Sequence, residues 1–161
     1  MATSSIGTAS RNYSTTDAWE AATDISISEI YNGELYDDSD FIGNGNITTF
    51  AGATGISATV YRTMYAATGQ EYDILTDTGV YFTDTGKAGF IHMIQEQYFR
   101  LGPGIGYHQE NDSNPGTDFG TVQLHWDHPN NRCIGNYFNM QGTSTQTNDS
   151  EAISEIGRAH V

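Results

Sequence analysis

TVQLHWDHPNNRCIGNYFNMQG, residues 121–142, is the stretch on which the fold reading turns. Val122, Leu124 and Trp126 alternate with polar residues, the mark of a strand with one buried face. Residues 127–132 make a polar corner in which Pro129, Asn130 and Asn131 force a turn. The chain returns through Cys133, Ile134, Tyr137 and Phe138 as a second short run. Strand, corner and strand read as one coil of a solenoid, so the expected fold is an all-β right-handed parallel β-helix. An antiparallel β-sandwich or jelly roll is the alternative that the same alternation allows.

Outward from this stretch, the pattern repeats without a fixed period. Period-two runs begin at Ile25 and Ile27, and short strands are expected at residues 47–50, 59–66, 80–83, 89–94 and 98–101. Acidic and glycine-rich turns separate them, at residues 37–40, 44–46, 67–70 and 84–86. Residues 14–22 are expected as a short helix: Ser14 can cap it, Asp17 answers at the third position, and Trp19 and Ala22 share a face. That face would cover the open end of the strands, which makes Trp19 a structural residue. Residues 102–120, rich in Gly, Pro, Asn and Asp, are expected as a long lateral excursion. The expected organisation is therefore a lead-in over 1–13, the capping helix and strands over 14–142, and a polar tail over 143–161.

Composition bounds the function. The 161 residues suffice for one domain, with 18 glycines, 10 tyrosines and few good helix formers. Twenty acids against six bases give a net charge of −14, which repels phosphate backbones and anionic lipid. Nucleic acid and membrane surfaces are thus excluded as partners, and no run approaches transmembrane length. Cys133 is the only cysteine and reads as a small buried hydrophobe. The first residues have neither the basic nor the apolar region of a secretory signal. An extracellular or virion location is expected, reached by another route or with the natural start missing. Residues 156–161, Ile-Gly-Arg-Ala-His-Val, match the peptide that a common sequencing-library adapter encodes. They are expected to be foreign to a natural protein that continues past Glu155. The last coil would then be uncapped and would stack on a second copy as a homo-oligomer.

Three segments carry a family resemblance: Ile6 through Ala22, Ala66 through Asp73, and the pair Gln97 to Leu101 and Asn131 to Phe138. They resemble the cap, an early turn and the stacked motifs at the start of large right-handed parallel β-helix proteins. Those proteins, pectate-lyase-like or phage tailspike-like, occur in phage and environmental sequences. Gly102-Pro103-Gly104 departs from the resemblance, interrupting a run that continues in such proteins. The resemblance implies a polysaccharide partner or a structural role.

Several groups of residues carry candidate chemistry. His125 and Asp127 share a strand face and, with Glu110, are the catalytic candidates. Glu110, Asp112, Asp118 and Asp127 could supply the carboxylate pair of a glycosidase. Lys87, Arg100 and Arg132 are the bases open to a lyase. Asp37, Asp38 and Asp40 form an oxygen-rich turn of the kind that could take calcium; no other cofactor is implied. A glycan, if bound, should meet Tyr107, His108, Glu110, Asp118, Trp126 and Asp127 around the excursion. The expected function is a structural or carbohydrate-recognition module with no assignable reaction. The alternative is a polysaccharide lyase or glycoside hydrolase.

Overall fold

The computed structural model describes residues 1–38, 41–43, 48–85, 91–110, 119–125, 130–140 and 150–156. In chain order the elements are β1 (Ala2–Ile6), α1 (Thr16–Thr23), β2 (Tyr31–Leu35), β3 (Phe41–Gly43) and β4 (Thr48–Phe50). Next come β5 (Arg62–Ala66), β6 (Tyr81–Thr85), β7 (His92–Ile94), β8 (Arg100–Leu101) and β9 (Gly106–Glu110). The last are β10 (Phe119–His125), β11 (Arg132–Cys133), β12 (Tyr137–Met140) and β13 (Ser150–Ile156). They form three sheets, ordered β1-β2-β5-β8-β11, β13-β10-β7-β4 and β12-β9-β6-β3, called here the first, second and third.

Both fold expectations are corrected. Every ladder between these strands is parallel, which removes the antiparallel sandwich or jelly roll. The right-handed β-helix is also replaced, by several small parallel sheets and one short helix, with no solenoid or closed sheet among the described residues. A regular solenoid needs a near-constant length of chain between stacked strands. Here the chain from Thr48 to its partner His92 is much longer than that from Tyr81 to Gly106. Strand lengths also vary, from two residues in β8 to seven in β10. The run at Ile25 and Ile27 is not a strand; the strand begins at Tyr31. Within residues 102–120, expected as one excursion, β9 occupies 106–110. Residues 150–156, read from sequence as part of a polar tail, run as β13 beside β10.

The core lies where the inner faces meet. On the third sheet Phe41, Phe82, Tyr107 and Phe138 occupy neighbouring inner positions, with ring centroids 4.9, 5.6 and 5.2 Å apart in sequence along the row. The first sheet adds Leu35, Met64 and Leu101, and the second adds Phe50 and Ile94, all essentially without exposure. Phe50 stacks on Phe99 at 4.5 Å and His92 packs edge-on to Phe82 at 4.5 Å, which ties the layers together. Rings stacked at these separations add about 0.5–1.5 kcal/mol per pair beyond their burial.

Helix α1 packs its buried face onto this core. Its N-cap is Thr15, not Ser14: the Thr15 side chain accepts from the Ala18 N–H at 3.1 Å. Asp17 lies in the first turn, where a negative charge favours the helix dipole. The buried face is Thr16, Trp19 and Thr23, four residues past Trp19, while Ala22 is exposed. Trp19 is fully buried, edge-on to Phe50 at 6.2 Å, and lies so close to Gly33 that a Cβ there would stand 3.0 Å from its ring.

Beneath the helix sits a buried charge. Arg62, inward on β5, has no exposed surface. Its Nε donates to Glu96 Oε1 at 2.8 Å and its Nη2 to the other carboxylate oxygen. Its remaining donors reach Thr23 Oγ1 at 3.0 Å, the Ala51 carbonyl at 3.1 Å, and the Glu20 carbonyl and side chain at 3.3 and 3.4 Å. Burial pushes the Glu96 carboxyl above its ordinary pKa, an effect that the guanidinium opposes.

Candidate functional site: an aromatic face and a cleft

Alternation along the third sheet fixes which side chains point out. Tyr81, Gly106 and Tyr137 are register partners, as are Phe82, Tyr107 and Phe138 one step on. The second set fills the core, so the first set faces outward. Gly106 leaves a gap in that row, and Tyr72 from the preceding loop fills it: a Cβ at 106 would stand 2.6 Å from the Tyr72 ring. The Tyr72 centroid is 6.1 Å from Tyr81 and 5.9 Å from Tyr137. Tyr72 itself is buried, so it braces the two outer rings rather than adding open surface. Tyr137 is 44% exposed. The loop that delivers Tyr72 is pinned by the Tyr72 N–H to the Gly104 carbonyl and by the Val80 N–H to the Gln70 carbonyl, both at 2.8 Å.

Polar groups edge these rings. His108 stacks on Tyr81 at 5.0 Å, and its Nε2 lies 2.8 Å from the Tyr72 hydroxyl. That hydroxyl donates to Asp77 Oδ1 at 2.7 Å, so its oxygen is left to accept from His108 Nε2–H. Burial, then the bond to Asp77, pushes the Tyr72 pKa up to about 12. The phenol therefore stays protonated at neutral pH and serves as a fixed hydrogen-bonding group rather than a base.

A cleft of about 530 Å³ lies on the outer face of the first sheet. Thr63, Arg100 and Arg132 are neighbours in register across β5, β8 and β11. The Arg100 guanidinium lies over the Tyr61 ring, 3.7 Å from its centroid, and Nη1 donates to the Tyr61 hydroxyl at 2.6 Å. Tyr65 forms another wall; its hydroxyl donates to Glu34 at 3.1 Å, and burial followed by that bond raises its pKa to about 12.

The residues singled out from sequence fall in different places. Tyr107, expected to stack on a ligand, is fully buried between Phe82 and Phe138, with its hydroxyl 2.8 Å from His92 Nδ1. His108, the next residue, is outward beside the outer rings. Glu110 lies in β9 and His125 in β10. Asp40, Lys87, Asp112, Asp118, Trp126, Asp127 and His128 lie outside the described residues. Asp38 is held by the Arg11 Nε at 2.7 Å and the Thr8 N–H at 3.0 Å, while the Asp37 N–H donates to Gln70. Asp38's carboxylate is thus engaged by a cation already, which does not suit a calcium ligand. Among the described residues no group of three His, Cys, Asp or Glu is placed to hold a metal ion. No helix among them is long and apolar enough to cross a membrane. Cys133 is partly buried against the core, and burial raises its thiol pKa, against a smaller lowering by the Asn136 hydrogen bond.

The sequence reading missed the grouping of Tyr72, Tyr81 and Tyr137. Its trace was there in Tyr81-Phe82 and Tyr137-Phe138, each an outward ring followed by an inward one. No protein-family model, curated protein or solved structure matches this chain.

Proposed function

We propose that this chain is a non-catalytic carbohydrate-recognition module that takes a neutral glycan on the outer face of its third sheet. The observation that supports this most is the pair of outward rings Tyr81 and Tyr137, braced by buried Tyr72, with His108 and Asp77 at their edge. Tyrosine rings offer flat apolar surface for the C–H face of a sugar, at low cost in side-chain entropy. Asp77, with an exposed side chain fixed by the Tyr72 hydroxyl, gives a directional acceptor for sugar hydroxyls. A neutral chain of sugars needs no charge attraction, which suits a surface at −14.

The test is a panel of soluble polysaccharides screened by calorimetry, followed by Tyr137→Ala and Tyr81→Ala against whichever binds. Each variant should weaken binding by about 1–3 kcal/mol, the loss expected for an aromatic anchor. Thermal melts should stay close to the parent for Tyr137→Ala, since that ring is 44% exposed. Unchanged affinity in both folded variants would remove this face as the site. New reducing ends or new double bonds appearing in the panel would instead make the chain an enzyme.

A further inference from the structure

We infer that the cleft on the first sheet is a second, separate binding site, and that it takes a single oxyanion such as the carboxylate of a sugar acid or a sulfate. Arg11 and Arg62 are each held by carboxylates, whereas neither Arg100 nor Arg132 is within salt-bridge distance of one among the described residues. In a chain with 20 acids and six bases, two arginines at adjoining positions with no acid partner among the described residues are unexpected on electrostatic grounds. They are direct register partners on β8 and β11, where strands run about 4.8 Å apart. Like charges set opposite each other repel, and an anion seated between them reverses the sign of that contact.

The cleft is also prepared for such a ligand. Tyr61 holds the Arg100 guanidinium flat, by its ring and by the bond from Nη1, and among the described residues the other N–H groups of the fork meet no acceptor. One acid, Glu71, lines the cleft, fixed by a backbone donor but still charged, so the anion seats on the arginine side. That donor is the Gly69 N–H at 2.8 Å, and Glu34 accepts from Tyr65 and from Tyr36 at 3.4 Å. Planar forks matched to an oxyanion give short, charge-assisted bonds. The surrounding net charge of −14 repels a polyanion, so the ligand carries one anionic group in an otherwise neutral context.

Calorimetric titration of the full chain with glucuronate, inorganic sulfate and glucose at low ionic strength tests this. Glucuronate and sulfate should each bind one equivalent, glucose should give no saturable heat, and added salt should weaken the binding. Arg132→Gln, at an exposed position, and Arg100→Gln should each weaken it by about tenfold or more. Glucuronate tighter than sulfate supports the site and marks a sugar acid; sulfate tighter supports it and marks a sulfate group. Absence of saturable binding by both anions overturns the inference, as does affinity unchanged in folded Arg132→Gln. Tyr137→Ala should leave anion binding intact, so the two sites stand or fall separately.

Discussion

Arginine is used in two opposite ways on the two faces of the first sheet. Inside, beneath α1, Arg62 has no exposure and satisfies its donors with Glu96, Glu20, Thr23 and the Ala51 carbonyl. Outside, the Arg100 guanidinium meets only Tyr61 among the described residues, and Arg132 is exposed. A buried guanidinium is tolerated only when its neighbours replace water completely. Arg62 meets that demand, and by doing so it joins the helix, β5 and the turn bearing Glu96. The outer pair carries no such obligation, because solvent or a ligand can complete it. The same side chain thus acts as a fastener where it faces in and as a receptor where it faces out.

The sharpest way to break this comparison is to remove the inner charge. Arg62→Met leaves Glu96 buried without its partner and should cost about 3–5 kcal/mol in urea unfolding. Arg62→Met combined with Glu96→Leu should recover most of that loss, since a well-packed apolar pair can replace a buried ion pair. A cost below about 1 kcal/mol for the single variant would show that the cluster does not fasten the helix.

His92 and His108 sharpen the comparison, each bonded to a tyrosine hydroxyl, the first buried in the core and the second turned outward. Burial lowers the His92 pKa from 6.5 to about 3. The unfolded chain therefore takes up this proton before the folded one does. The stability held by neutral His92 is fully present above pH 6.5 and is lost as pH falls towards 3. The slope should be about 1.4 kcal/mol per pH unit, or about 2 kcal/mol by pH 5. Urea unfolding across that window should show it in the parent and not in His92→Phe. Equal slopes in the two proteins would mean that His92 is not the group responsible.

Much of the strand content was legible in the sequence, because alternation survives in short runs. Residues 59–66 were expected as a strand and β5 runs from Arg62 to Ala66; residues 98–101 end in β8. The arrangement of the strands was not legible as it stands, since nothing local fixes the length of chain between register partners. Tyr107 shows how a boundary error becomes a functional one. With residues 102–120 taken as a loop, Tyr107 and His108 could both face a ligand. Once they lie in β9, adjacent residues must face opposite ways, and Tyr107 goes into the core. Arg62 was hidden for a different reason. A charged residue at an inward strand position makes sense only with Glu96 and Glu20, which the chain supplies from far away in sequence.

Equilibrium urea unfolding of Arg132→Gln beside Arg62→Met, with and without glucuronate, tests the division between the two faces most directly. Arg132→Gln should keep the parent stability to within about 0.5 kcal/mol, while Arg62→Met loses about 3–5 kcal/mol. Glucuronate should stabilise the parent and stabilise Arg132→Gln much less, because the variant binds it about tenfold more weakly or worse. Losses of similar size in both variants, or equal stabilisation of both by glucuronate, would contradict the division.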